Sequence, residues 1–217
     1  MKRLLAISLF QLCWISVSAV SQYTDRIVLD EKKYPLYSNP LETFFTKEPA
    51  RRLKENRVTS ELWRGYIATF TLKNKRLTVT DMLVQHKNEE QKDKNNTVWN
   101  SVLDSVFKSP NERFCDWYTG YLIIPTGKLV KKASTSYASV YEKFILLTVS
   151  KGLLTSEKSL TAKSYEDFLD NQFKSYSKTR EYRQARRYLP HIIKSGKEKD
   201  EFLKLFVDEY ASKIYDN

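Results

Sequence analysis

Cysteine and histidine are the residue types best suited to nucleophilic or metal chemistry, and this chain has only two of each. Cys13 lies in an apolar N-terminal segment, which leaves Cys115 as the one thiol in the remainder. A catalytic nucleophile needs a base beside it, and metal ligands recur at short characteristic spacings. His86 and His191 show neither relation to Cys115. We therefore expect no metal and no cofactor, and we interpret Cys115 as a small buried strand residue.

Carboxylates supply the only material for an enzymatic mechanism. Asp81, Asp116 and Glu142 lie on or next to predicted strands that are rich in tryptophan and tyrosine. Glycoside hydrolases use paired carboxylates, with aromatic rings that stack on the sugar. Asp116 and Glu142 are therefore the candidate catalytic pair. The structural alternative is that Asp116 caps a strand or pairs with a cation such as Arg64.

Arg64 stands between Trp63 and Gly65, where a planar guanidinium and a close backbone approach suggest a small site for a carboxylate or phosphate. The alternative is a structural ion pair. We expect any binding face of the sheet to include this arginine and the aromatic residues near it in the predicted hairpins. These candidates are Trp63, Arg64, Tyr66 and Trp117.

The segment 174–199 carries the strongest charge signal, because nine basic residues oppose only Glu181 and Glu198. Tyrosines alternate with the cations, a pattern that suits an anionic partner. Anionic lipid head groups, acidic polysaccharide or an acidic protein are the expected partners, and nucleic acid is not. The alternative is a solvated face. The candidate binding residues of this segment are Arg180, Arg183, Arg186 and Arg187.

The N-terminus has the pattern of an export signal. Lys2 and Arg3 precede an apolar run from Leu4 to about Val17, and small residues then lead to Ala19. The run is too short to span a bilayer, for which about 20 residues are needed. We therefore predict a signal peptide over 1–19, an exported chain that is periplasmic or extracellular, and no transmembrane segment after cleavage. A retained anchor is the alternative.

Cleavage would change the composition only slightly. Loss of Lys2 and Arg3 would leave 35 basic residues against 26 acidic ones, a net charge of +9 instead of +11. The remainder is long enough for one folded domain. A single cysteine cannot form an intrachain disulfide, so we expect packing alone to stabilise the fold.

Alternating apolar residues predict β-hairpins over the first two thirds of the chain. The first spans 26–37, and a short helix follows at 41–45. A second hairpin is expected over 63–83, with Asn74 and Lys75 as its turn and with Leu77, Val79 and Asp81 on one face. Further strands are predicted at 114–124, from Leu129 onwards and at 137–149, with a turn at 125–128 and a closing turn at Lys151-Gly152. A helix is predicted over 97–107.

The last quarter has helical periodicity. One helix is predicted from Ser164 to about Tyr188, and a final amphipathic helix from about Glu198 to Tyr215. The predicted fold class is α+β, with a mainly antiparallel hairpin sheet, one short inserted helix and a C-terminal two-helix tail. The β-rich domain is assigned to 20–155 and the helical segment to 160–217.

Three motifs of the hairpins resemble an uncharacterised group of bacterial hypothetical proteins. The first is the Trp-Arg-Gly-Tyr run at 63–66, the second comprises Asp-Trp-Tyr-Thr-Gly at 116–120 with Ile-Pro-Thr-Gly-Lys-Leu at 124–129, and the third is Tyr-Ala-Ser-Val-Tyr-Glu at 137–142. The residues at 133–136 depart from the His-Met-Gly pattern of that group. The resemblance covers 34–152 and implies one β-rich domain without a known activity.

These observations favour a non-enzymatic exported binding domain whose basic tail contacts an anionic envelope component or an acidic protein. Two alternatives remain open. One is a glycan-acting hydrolase that uses Asp116 and Glu142. The other is an inhibitor or immunity-type module that binds another protein.

Overall fold

The computed structural model describes residues 22–53, 59–87, 97–133, 136–189 and 195–215. The predicted signal segment and His191 lie outside the described residues. Within them the chain forms eight strands and six helices, so the α+β prediction is confirmed. The strands are β1 (Asp25–Leu29), β2 (Lys32–Leu36), β3 (Ile67–Lys73), β4 (Arg76–Lys87), β5 (Thr97–Ser101), β6 (Gly120–Lys131), β7 (Val140–Ser150) and β8 (Leu153–Thr161). The helices are α1 (Pro40–Lys47), α2 (Leu103–Val106), α3 (Ala162–Tyr176), α4 (Arg180–Tyr188), α5 (Gly196–Lys204) and α6 (Val207–Tyr210).

All strands belong to one mixed sheet in the order β2-β1-β3-β4-β8-β7-β6, with β5 paired to β4. Only β1 and β3 run parallel, and every other named pair is antiparallel. The sheet curves until its two ends touch. There the Tyr37 N–H donates to the Ile123 carbonyl at 2.7 Å, and the Ser38 hydroxyl donates to the Tyr121 carbonyl at 2.8 Å.

The predicted tight turns are confirmed. Asn74 and Lys75 both have positive φ and join β3 to β4, and Lys151 and Gly152 likewise join β7 to β8. Two-residue turns with positive φ match the right-handed twist of paired strands. The expected turn at 125–128 is wrong, because β6 runs straight through it as a bulged strand. Gly127 supplies the positive φ, and a Cβ there would lie 2.7 Å from Glu142 Oε2.

A second bulge corrects the predicted face of β4. Thr69 pairs with Asp81 whereas the next residue, Phe70, pairs with Val79, so Thr80 is an extra residue. A bulge shifts the alternation by one position. The buried face of β4 therefore consists of Leu77 and Val79 before the bulge and of Met82 and Val84 after it. Asp81 does not lie on the face that it was expected to share with Leu77 and Val79.

Two helix predictions are also corrected. The segment predicted as one helix over 97–107 is strand β5 followed by the short helix α2, and Trp99 is only half-buried. The long helix expected after Ser164 is divided into α3 and α4. Thr161 caps α3 and Thr179 caps α4, each accepting a hydrogen bond at 3.2 Å from the N–H three residues later.

Two apolar cores lie on opposite faces of β6 and β7. Leu122 and Leu147 face the core enclosed by the curved sheet, α1 and α2. Ile123 and Phe144 face the other core, which α3, α4 and α6 cover mainly with tyrosine and phenylalanine side chains and to which α5 adds Leu203. Burial on both faces explains the continuous apolar runs at 121–125 in β6 and 144–147 in β7. It also ties the C-terminal helices to the sheet.

Tyr165 in the second core gives a first prediction. Its ring stacks on Phe144 with centroids 3.6 Å apart, and its buried hydroxyl has no hydrogen-bond partner among the described residues. Removing an unsatisfied buried hydroxyl relieves a desolvation cost, so Tyr165→Phe should raise the free energy of unfolding by about 1 kcal/mol. Urea unfolding measures this change.

Tyr137 provides the matched control, because its hydroxyl donates to Asn39 Oδ1 at 2.8 Å. Tyr137→Phe should lower the free energy of unfolding by about 1 kcal/mol. Equal losses in the two variants would show that the Tyr165 hydroxyl does have a partner.

Candidate functional site

Residues 63–66 form a turn instead of the predicted start of a strand. The turn follows a short 3-10 helix at Ser60–Leu62, and the Gly65 N–H donates to the Leu62 carbonyl at 2.8 Å. Gly65 has a φ of +82°, a conformation that favours glycine. The strand prediction is therefore wrong before Ile67, where β3 begins.

Arg64 points from this turn into the protein and pairs with Asp25 on β1. Two parallel hydrogen bonds of 3.1 Å join the guanidinium to the carboxylate. The side chains are 2% and 0% exposed, so the pair is removed from water. Asp25 Oδ1 also accepts the Ala68 N–H at 2.9 Å. Burial alone would lower the pKa of Arg64, but the facing carboxylate holds it above its usual value.

The remaining contacts of Arg64 connect three parts of the chain. Its guanidinium donates to the Tyr23 carbonyl at 3.1 Å and to Asn39 Oδ1, just before α1. Tyr137 donates to the same Asn39 oxygen. Of the two interpretations of Arg64, the structure therefore shows the structural ion pair. The carboxylate that occupies the predicted anion site comes from the chain itself.

Tyr66, another predicted binding residue, is buried beside this pair. Its hydroxyl donates to Glu42 Oε1 at 2.7 Å, and Glu42 forms an ion pair with Arg52. The Arg64 guanidinium lies 5.2 Å from the centroid of the Tyr66 ring. These contacts hold Tyr66 in the core enclosed by the curved sheet. Its hydroxyl is already bonded to Glu42 and is not available to a ligand.

The two predicted binding tryptophans have different surroundings. Trp117 packs on Phe44 with ring centroids 5.2 Å apart, and its buried indole N–H has no partner among the described residues. Trp63 lines a polar cleft of about 270 Å³ between α1 and α6. The structure therefore does not bring the two rings into one sugar-binding surface.

The cleft beside Trp63 contains three carboxylates that sequence reasoning missed. Glu42, Asp208 and Glu209 line it together with Lys213 and several hydroxyl groups. Burial, reinforced by the neighbouring Glu209, raises the pKa of Asp208 to about 6. Asp208 can therefore hold or release a proton near neutral pH. No local spacing links Glu42 to the other two, because the fold alone joins α1 to α6.

A second cavity, of about 200 Å³, lies between the end of α1, the turn at 63–66 and strand β4. Its walls are mainly apolar, and its polar lining residues are basic apart from Tyr66. The lining residues are Phe45, Arg52, Leu53, Arg64, Gly65, Tyr66, Met82, Val84, His86 and Val102. The alternation of β4 after its bulge places Met82, Val84 and His86 on one face.

The candidate catalytic pair is not assembled. Asp116 is exposed in the turn before β6, whereas Glu142 lies on β7 and accepts the Lys128 N–H at 2.9 Å. Gly120, at the start of β6, pairs with Val149, seven residues from Glu142. At about 3.3 Å per residue, Val149 is about 23 Å from Glu142 along β7, and Asp116 lies four residues before Gly120, so the two carboxylates are on the order of 20 Å apart. Glycoside hydrolysis needs them within about 10 Å.

The surroundings of Asp81 and Cys115 indicate that both residues have structural roles. Asp81 accepts the Ser101 hydroxyl at 2.7 Å. Cys115 is buried, and burial raises the pKa of its thiol well above the ordinary value. A neutral, enclosed thiol is a poor nucleophile. The described residues contain no group of three or more histidine, cysteine or acidic side chains placed to hold a metal ion.

Helix α4 divides the four predicted arginines into two classes. Arg186 is half-buried, and its Nε lies 3.2 Å from Asp200 Oδ1 on α5. Arg180, Arg183 and Arg187 are exposed and form no salt bridge among the described residues, and the acidic residue nearest to them in the helix is Glu181, beside Arg180. A spacing of three and then four residues places these three on one face of the helix. We call them the α4 arginine face.

The tyrosines between these arginines are mostly internal. Tyr176 and Tyr182 are buried against Phe173, and Tyr182 also donates to Asp200. Only Tyr188 is open to solvent, at 88% exposure. In place of the predicted mixed aromatic and basic surface, the structure has exposed arginines on the outer side of α4, and most of the tyrosines are buried beneath them.

No helix in the described parts of the chain has the length and apolar character needed to cross a membrane. Comparisons of the chain with known protein families, with curated proteins and with solved structures gave no match. A function therefore has to be argued from the chain's own surfaces and cavities.

Proposed function

We propose that this chain is an exported, non-enzymatic binding domain that contacts an anionic partner through the α4 arginine face. The proposal rests on Arg180, Arg183 and Arg187, which are exposed on one side of α4 and form no salt bridge among the described residues. Export rests on the N-terminal pattern of a basic pair, an apolar run and a small-residue cleavage site.

The surroundings of α4 support a preformed contact surface. Thr179 fixes the start of the helix, and Tyr182 anchors its inner side in the second core. The Arg186–Asp200 ion pair joins α4 to α5. A face held in this way loses little conformational freedom when a partner binds. Arginine's planar fork also suits phosphate and carboxylate groups.

The test replaces Arg180, Arg183 and Arg187 together by glutamine. We expect affinity for phosphatidylglycerol vesicles or for polyglutamate at low salt to fall on the order of tenfold, because each arginine contributes a fraction of 1 kcal/mol to such contacts. The salt dependence of binding should become flatter. Co-sedimentation measures vesicle binding, and fluorescence anisotropy measures binding of the labelled polymer.

The control removes the same charge from another surface. Lys128, Lys131 and Lys143 are exposed on β6 and β7, and their replacement by glutamine should change affinity little. Equal weakening by both triple variants would contradict the proposal, because it would make net charge, and not the α4 arginine face, the determinant. The probe that responds distinguishes a lipid partner from an acidic polymer.

A further inference from the structure

The apolar cavity beside the turn at 63–66 is the right size for a small organic molecule. Its volume is about 200 Å³. For scale, an engineered apolar cavity of about 150 Å³ in another protein binds benzene. Phe45, Met82, Val84 and Val102 line it with apolar side chains. The volume suits one six-membered ring or a short branched acyl chain.

Among the described residues, no side chain fills the space beside Gly65. Gly65 lines the cavity, and a Cβ built on it would meet no atom within 4 Å. Its positive φ keeps a side chain from that position. Atoms around an empty apolar volume lack dispersion contacts on one side. An apolar ligand would supply those contacts.

Apart from the Tyr66 hydroxyl, which donates to Glu42, the polar side chains of the lining are basic. Among the described residues, Arg52, Arg64 and His86 line the cavity, and no aspartate or glutamate does. Arg64 is committed to Asp25, and Arg52 forms an ion pair with Glu42. His86 is half-buried, and no hydrogen bond to its imidazole is found among the described residues. It is therefore the polar group best placed to receive a ligand's head group.

We propose that this cavity binds a small apolar carboxylic acid, such as a single ring or a short branched chain bearing one carboxylate. The apolar part contacts Phe45, Met82 and Val84. The carboxylate lies toward His86. This site is separate from the α4 arginine face and does not depend on its function.

Benzoate and toluene test the proposal, because they share the ring and differ in the carboxylate. We expect benzoate to raise the melting temperature of the full chain and to shift the imidazole proton resonances of His86. His86→Gln should weaken benzoate binding about tenfold and leave toluene binding unchanged, since it removes a charge-assisted contact to the carboxylate only. Nuclear magnetic resonance titration gives both affinities.

Two cavity-filling variants locate the site. Val84→Phe and Val102→Phe add a ring from different walls, so at least one folded variant should abolish binding of both probes. The triple glutamine variant of the α4 arginine face should retain benzoate binding. The proposal is overturned if neither probe binds, if toluene binds and benzoate does not, or if benzoate binds a folded filled variant as tightly as the parent chain.

Discussion

Replacing Arg64 by methionine is expected to lower the free energy of unfolding by about 3 to 5 kcal/mol, because it leaves the Asp25 carboxylate buried without its cation. Asp25 is 0% exposed and cannot be rescued by solvent. The Tyr23 carbonyl and Asn39 Oδ1 would each lose a donor as well. A loss of this size is a large part of the stability of an ordinary domain.

Urea unfolding followed by tryptophan fluorescence measures this effect. The surface variant Lys163→Met is the matched control, since Lys163 and Asp167 form an i,i+4 ion pair with side chains 77% and 58% exposed. That change should cost less than about 0.5 kcal/mol. If Arg64→Met costs no more than Lys163→Met, the buried pair does not stabilise the junction of β1, α1 and the turn before β3.

A double variant separates the loss of attraction from the isolation of a charge. Asp25→Asn combined with Arg64→Met removes both charges, and it should be more stable than Arg64→Met alone. The expected order follows from the general behaviour of buried pairs, in which an unpaired charge costs more than the absence of both. A double variant less stable than Arg64→Met would show that Asp25 has a role beyond this pair.

The predictions that the structure confirms rest on local chemistry. Asn74-Lys75 and Lys151-Gly152 were recognisable as turns from residues that tolerate positive φ. The strands that were missed or misassigned are β8 and β5. The side chains of β8 are almost all exposed, so its sequence lacks apolar alternation. It is a strand because the turn at 151–152 brings it into antiparallel pairing with β7. Tertiary pairing, not propensity, decides such segments.

The contents of the candidate sites were less predictable than the elements. The sequence identified Arg64 as unusual but could not name its partner, because Asp25 lies 39 positions away. The same holds for the cleft, where Glu42 meets Asp208 and Glu209 only after α6 packs near α1. Long-range proximity has no signature in a single sequence. The α4 arginines were predictable because a helix face depends on spacing alone.

The remaining large effect concerns Asp208, whose pKa in the fold is raised from 3.8 to about 6. Between these values the folded chain binds more protons than the unfolded chain, so stability falls as the pH rises through this window. Above it, the ionised carboxylate opposes folding. Asp208→Asn removes that charge and should raise the free energy of unfolding at pH 7 by about 1 to 3 kcal/mol.

The pH dependence distinguishes this mechanism from a general gain in packing. At about pH 3.5 the Asp208 carboxyl is largely protonated in both states, so the advantage of Asp208→Asn should nearly vanish there. Glu166 is exposed on α3, and Glu166→Gln should leave stability unchanged at either pH. Unfolding curves measured across the window decide the matter. A stability advantage of Asp208→Asn that stays constant with pH would mean that its carboxylate is not the group that titrates. An advantage that grows as the pH rises would show that the ionised Asp208, beside Glu42 and Glu209 in the cleft, lowers the stability of the fold.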